Sequence, residues 1–178
     1  DDAINYGAVG GVIGHEISHG FDDKGSKFDG DGNLVDWWTD ADRAAFETRT
    51  KSLVEQFSAF EPVEGMNING ELTLGENIGD LSGVAMAYRA YINSLDGAEP
   101  PVIDGLTGPQ RFFIGYAMSR KGKYTDEAKV SRLSSDPHSP LKYRVIGPYR
   151  NIDAFHQAFE TREGDGMWLP PEQRVRIW

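Results

Sequence analysis

The chain contains no cysteine. Disulfides are therefore excluded, and a metal site would have to be built from histidine and carboxylate. The same absence leaves the compartment open, because many exported proteins also lack cysteine. Basic residues are in deficit: 18 Lys and Arg stand against 28 Asp and Glu, for a formal charge of −10. Nucleic acid and anionic membranes both call for clustered cations, so neither is expected as a partner. No apolar run approaches the length needed to cross a bilayer, about 20 residues. Repeats and low-complexity tracts are also missing. The chain opens Asp1-Asp2, with neither an initiator Met nor a signal peptide, and reads as a piece of something longer. What remains is ordinary globular composition, 39% hydrophobic and 26% charged over 178 residues, enough to bury one core.

Local patterning predicts a mostly helical chain. Asn5 to Phe21 reads as one helix, and glycines 7, 10, 11 and 14 within it each weaken it by about 1 kcal/mol relative to Ala. A helix that carries so many glycines is expected to pack closely on other backbone or on a bound ligand. Thr39, with Asp42 three residues on, is expected to cap a second helix to about Phe57, its apolar face being Phe46, Leu53 and Phe57. Met66 to Leu74 alternates apolar and polar around Asn69-Gly70 and predicts a short hairpin with a type I′ turn. A third helix is expected from Gly75 to Ser94, with Ile78, Leu81, Ala85, Tyr88 and Ile92 inward. After a Pro/Gly-rich loop, Thr107 and Gln110 form a capping box. Thr125 is expected to cap a helix to Leu133, and Asn151 a last one burying Phe155 and Phe159 and leaving His156 on the surface. With no βαβ alternation, a doubly wound sheet is not expected.

Within the first helix lies His15-Glu16-Ile17-Ser18-His19. Residues four apart on a helix share a face, so both imidazoles can point at one ion, with Glu16 beside them. This H-E-x-x-H pattern suits zinc-assisted hydrolysis. A catalytic zinc takes three protein ligands and keeps a position open. Glu76, in Glu76-Asn77-Ile78-Gly79-Asp80, is the candidate third ligand. Asp80, one turn on, and Asp22, three residues after His19, are candidates for bracing the far nitrogens of the two imidazoles. By contrast, Asp29-Gly30-Asp31-Gly32-Asn33 departs from a calcium loop, with Leu34 at the sixth position and Asp40 at the twelfth, and is expected to be a plain Gly/Asp turn.

Four stretches carry a resemblance: Asn5 to Val9, Val12 to Asp22, Gly75 to Asp80, and His138-Ser139-Pro140-Leu141-Lys142-Tyr143-Arg144-Val145-Ile146-Gly147. In order and spacing they resemble the neprilysin and endothelin-converting-enzyme family of zinc endopeptidases, and the likeness continues into the terminal Arg-Val-Arg-Ile-Trp. The resemblance implies that residues 1–178 form the C-terminal portion of a thermolysin-like zincin (gluzincin) catalytic domain, mainly α with a short β-hairpin. An N-terminal lobe of the same protein would be missing from the chain. It implies one Zn2+ per chain, bound by His15, His19 and Glu76, with Asp22 and Asp80 behind them. It also implies that Glu16 is the general base acting on the zinc-bound water, that His138 stabilises the developing oxyanion, and that Arg144 holds a substrate carbonyl just past the cut. The implied substrate is an oligopeptide.

Two departures stand out. Many relatives carry a hydrophobic residue followed by Trp where this chain has Ser119-Arg120. Those positions help line the pocket for the residue after the cut, so large apolar side chains are expected to fit less well. Val175 also stands where vertebrate members have a cysteine. A zinc hydrolase of non-peptide substrates and a non-catalytic, metal-stabilised binding fragment are the alternatives. The expected location is extracytoplasmic, periplasmic or secreted by a bacterium, with the cytoplasm as the alternative.

Overall fold

The first helical run begins as α1 (Asp2–Asn5), capped by the Asp1 side chain. It widens into a π-helical turn (Tyr6–Gly10), resumes as α2 (Gly11–Ser18) and tightens to a 3₁₀ turn (His19–Phe21). The computed structural model describes residues 1–178. Its remaining helices are α3 (Asp40–Ser58), α4 (Leu74–Ser94), α5 (Gly108–Ser119), α6 (Asp126–Ser135), α7 (Tyr143–Arg150) and α8 (Asp153–Ala158). The fold is mainly α. No strand forms, only three isolated bridges, Phe28–Leu34, Val63–Met66 and Ile103–Leu106. No helix is long and apolar enough to cross a membrane.

The capping residues act as the sequence predicts. Thr39 accepts from Asp42 N, Thr125 accepts from Ala128 N, and Thr107 and Gln110 make a reciprocal box. Each satisfies orphan amides at a helix start. Phe46, Leu53 and Phe57 of α3 are buried as expected.

The glycines of α2 matter because of what crosses it. A Cβ on Gly14 would lie 2.8 Å from Gly83 O, and one on Gly83 would lie 2.4 Å from His15 N. Helix α4 therefore meets α2 backbone to backbone. The aromatic layer of α5 closes the other side, with Phe112, Phe113 and Tyr116 fully buried.

Four local expectations are corrected. The hairpin is absent. Asn69 instead accepts Leu72 N through its side chain and Thr73 N through its backbone, so Asn-Gly closes a turn leading into α4. Gly70 lies where a Cβ would strike Val54 O at 2.4 Å, and packing on α3 wins over pairing with a strand. The inward stripe of α4 runs through Ile78, Leu81, Val84, Ala87 and Tyr91, while Ala85 and Ile92 are exposed. Val84 and Ala85, like Tyr91 and Ile92, are adjacent apolar pairs, and stacking of Tyr91 on Phe112 selects between them.

Asn151 does not cap α8. It follows α7, where its amide nitrogen donates to Gln56 Oε1 and Gly147 O and its oxygen accepts from Val175 N. His156 is buried, between Arg150 O and Thr161 Oγ1. Burial first of all lowers its pKa and keeps it neutral. Helix α7 itself was hidden by Gly147-Pro148, which reads as a breaker. Pro148 leaves Arg144 O without its helical donor, and Tyr116 Oη lies 3.5 Å from that oxygen.

Candidate metal centre

The α2–α4 crossing brings the pentad to the start of α4. His15 Nε2 lies 3.2 Å from Glu76 Oε2, and His19 Nε2 lies 3.6 Å from Glu76 Oε1. One ligand atom from each of the three residues falls within 4.8 Å of the other two, the one such cluster in the chain. Donors arranged tetrahedrally at zinc bond lengths lie about 3.3 Å from one another, so the spacing fits that ion. Asp29, Asp31 and Asn33 form no such group. Asp29 accepts the amides of Asp31 and Asn33 in an exposed turn.

The opposite nitrogens are tied to carboxylates. His19 Nδ1 sits 2.8 Å from Asp22 Oδ2, whose other oxygen accepts Lys24 N and Gly25 N. His15 Nδ1 lies 3.0 Å from Asp80 Oδ1, but the approach is angled away from a well-directed hydrogen bond. Both Nε2 atoms therefore face the shared point, where loss of the ring proton gives each a lone pair for a metal. Gly79 makes room for this, since a Cβ there would lie 2.7 Å from His15 Nδ1.

Electrostatics follow from packing. His15 is 4% exposed. Burial alone would depress its pKa, but the carboxylates of Asp80 and Glu76 outweigh that and raise it to about 9. Burial pushes the Asp80 carboxyl up, but the His15 ring beside it, the Arg144 donors and the further charge of Arg120 outweigh that and hold it down at about 2. For Glu76 burial again opposes ionisation. His15, His138 and Arg144 more than offset it, and its pKa is lowered.

Glu16 lies on the exposed side of α2 with no ion-pair partner. His138 reaches the centre from the loop before α7. Its Nε2 lies 3.1 Å from Glu76 Oε2, and its Nδ1 is 2.8 Å from Asp136 Oδ1. Ser139, next in sequence, donates to the buried Asn77 Oδ1, which fastens this loop to α4. Arg144 is buried. Its Nε and Nη2 clamp Asp80 at 2.7 and 2.9 Å, and Nη2 is also 3.4 Å from Glu76. Its Nη1 has no hydrogen-bond partner in the protein.

Ser119 and Arg120 part company. Ser119 is exposed and donates to Tyr116 O, whereas Arg120 turns inward, 3.1 Å from Asp80 Oδ1 and over the Tyr116 ring. Sequence reasoning missed Asp136, Tyr116 and Asn77. Asp136, two residues before His138, and Asn77, next to Glu76, stood close enough in the chain to be suspected; Tyr116 did not.

Residues 1–175 match Peptidase family M13. Mouse membrane metallo-endopeptidase-like 1 is 44% identical over 99% of this chain and 23% of its own length. Human neprilysin is 40% identical over 99% of the chain and 24% of its own. Among solved structures, the zinc metalloprotease Zmp1 of Mycobacterium tuberculosis in complex with inhibitor superposes with a TM-score of 0.98. It is 54% identical, with all of this chain and 28% of that one covered. PepO of Lactobacillus rhamnosis superposes at 0.86 with 39% identity, over all of this chain and 27% of that one. The chain thus spans about a quarter of the length of the relatives it matches. With a match running from its first residue almost to its last, and with the His15, His19 and Glu76 cluster inside the matched region, the chain belongs to peptidase family M13.

Proposed function

We propose that the whole protein is a zinc-dependent metalloendopeptidase acting on oligopeptides, and that residues 1–178 are the C-terminal part of its thermolysin-like zincin catalytic domain. One observation carries the reading: two imidazole Nε2 atoms and the Glu76 carboxylate converge at ligand spacing, with each Nδ1 backed by a carboxylate. His15, His19 and Glu76 would hold a single zinc ion. Zinc in such a site polarises a carbonyl and acidifies water.

Each remaining step is assigned to a residue of this chain. The Glu16 carboxylate accepts a proton from the attacking water and delivers it to the departing amine nitrogen. His138, oriented through Nδ1 by Asp136, donates from Nε2 to the carbonyl oxygen as negative charge grows there. Such a donor is typically worth about 3 to 4 kcal/mol. Arg144 holds Asp80 with Nε and Nη2 and has Nη1 left to meet a substrate carbonyl. Asp22 and Asp80 fix the imidazole orientations. Ser119 and Arg120 border the space for the residue after the cut, and the charge on Arg120 disfavours large apolar side chains there.

The rest of the protein is the proposed partner of this chain. Val9, Ile13, Ile17 and Phe21 recur every four residues along the helical run that bears the histidines, and they are 61%, 55%, 59% and 45% exposed. A contiguous apolar stripe of this kind calls for cover.

The test uses the full-length protein, with metal analysis followed by cleavage of quenched oligopeptides and of small esters, with and without a chelator. The reading expects bound zinc and chelator-sensitive peptide cleavage, and Glu16→Gln should lower cleavage at least 100-fold while leaving zinc bound. Ester hydrolysis without peptide cleavage would turn the assignment to a non-peptide hydrolase. Absence of zinc would end it.

A further inference from the structure

Asp80 takes more donors than its carboxylate geometry accommodates evenly. Its Oδ2 accepts only Arg144 Nε, at 2.7 Å. Its Oδ1 faces four groups: Tyr116 Oη at 2.8 Å, Arg144 Nη2 at 2.9 Å, His15 Nδ1 at 3.0 Å and Arg120 Nη2 at 3.1 Å. A carboxylate oxygen offers two in-plane lone pairs. Four donors cannot all be well directed, and the one left misaligned is His15 Nδ1, a fully buried atom without a proper hydrogen bond.

Arg120 is the optional member of this group. Arg144 already neutralises Asp80 with a two-point clamp, whereas Arg120 contributes a single Nη2 contact from the end of α5. Its Nε is buried with no partner, a group that ordinarily finds one.

We propose that Arg120 is a positioning residue that weakens the hold of His15 on the metal by drawing Asp80 Oδ1 away from His15 Nδ1. A carboxylate behind a ligating imidazole makes that ligand more basic and the metal more tightly held. Arg120 and Tyr116 spend that carboxylate on themselves, and Arg120 adds a positive charge beside a site for a cation. The centre is thereby set for a less electron-rich His15 and a more Lewis-acidic ion, at some cost in metal retention. This rests on zinc occupying the site proposed above.

The experiment measures zinc release to a chromophoric chelator from the full-length protein, together with its thermal midpoint with and without metal. Arg120→Met keeps the length of the side chain against the Tyr116 ring and removes the charge and the donor. Tyr116→Phe removes one donor and keeps the ring. Outer-shell changes typically move metal affinity 10- to 100-fold, so release should slow about tenfold in Arg120→Met and by a smaller factor in Tyr116→Phe. With selectively 15N-labelled histidine, the proton on His15 Nδ1 should move downfield in Arg120→Met.

If Arg120 merely braced Asp80, both variants would lose zinc faster and melt earlier, and that result overturns the inference. Unchanged release in a folded Arg120→Met protein overturns it as well. If Arg120→Met does not fold, Tyr116→Phe decides by the same sign. A wild-type protein that binds no zinc overturns the proposed function along with this inference, so the two failures are told apart by the wild-type measurement.

Discussion

Gly83→Ala is the most discriminating single change in the fold. The added Cβ would lie 2.4 Å from His15 N, 2.8 Å from Gly11 O and 2.9 Å from His15 Cα. All three are backbone atoms, so no side chain can swing aside. Relief requires α2 to move off α4 by about 1 Å to restore ordinary van der Waals separation. That movement carries His15 and His19 away from Glu76, opening the present 3.2 and 3.6 Å spacings well past the ±0.2 Å that metal sites tolerate. Displacing the ligands themselves costs at least the upper end of the roughly 10- to 100-fold in affinity that outer-shell changes cost, and overpacking costs about 1 to 3 kcal/mol in stability. Zinc affinity should therefore fall about 100-fold, read by competition with a chelator of known affinity. Denaturant unfolding should show the lost stability. The control is Gly10→Ala, where a Cβ would rest 3.5 Å from Ala87 Cβ, an ordinary contact, and where Ala gains about 1 kcal/mol of helix propensity. A Gly83→Ala protein whose zinc affinity stays within threefold of wild type would refute the claim that backbone contact at this crossing sets the ligand geometry.

Four further outcomes follow from the same coordinates. His15 is held at about 9 in the metal-free site, so zinc must displace a proton at neutral pH. Calorimetry in buffers of different ionisation enthalpy should find proton release, and affinity should fall about tenfold for each pH unit below 9. Because that folded-state pKa lies above the ordinary histidine value of 6.5, its stabilisation of the metal-free protein is fully present below pH 6.5 and fades as pH rises through 9. Metal-free melting temperature should drop across that window. Asn151→Ala unpairs Gly147 O, Val175 N and Gln56 together and should cost about 2 to 4 kcal/mol on denaturant unfolding. Thr107→Ala removes one half of the α5 capping box and should cost about 1 kcal/mol by the same measurement.

Local chemistry told most about the site. The spacing of His15, Glu16 and His19 is a property of one helix, and the pair Glu76 and Asp80 of another. Thr39, Thr107 and Thr125 announce helix starts through hydroxyl-to-amide bonds made within three residues. Such features need no knowledge of the rest of the chain. The hairpin over Met66 to Leu74 failed because alternation is evidence for a strand only if a partner strand exists. Here α3 offered backbone to Gly70 instead. The α4 stripe slipped by one residue because adjacent apolar pairs carry no local signal about which member meets α5. His156 and Asn151 looked like surface and cap residues because their partners, Thr161, Gln56 and Val175, are assembled only by packing.

By itself, then, the sequence determined the candidate ligand types, their grouping on two helices and the absence of thiolate. Each of these follows from residue identity and a repeat of 3.6 residues per turn. Only the tertiary structure decided that the two helices cross at Gly14 and Gly83, and that Arg144 and Arg120 both turn onto Asp80. The sharing of that single oxygen among four donors depends on the placement of atoms from three segments far apart in the chain, and no pattern along one dimension encodes such a meeting.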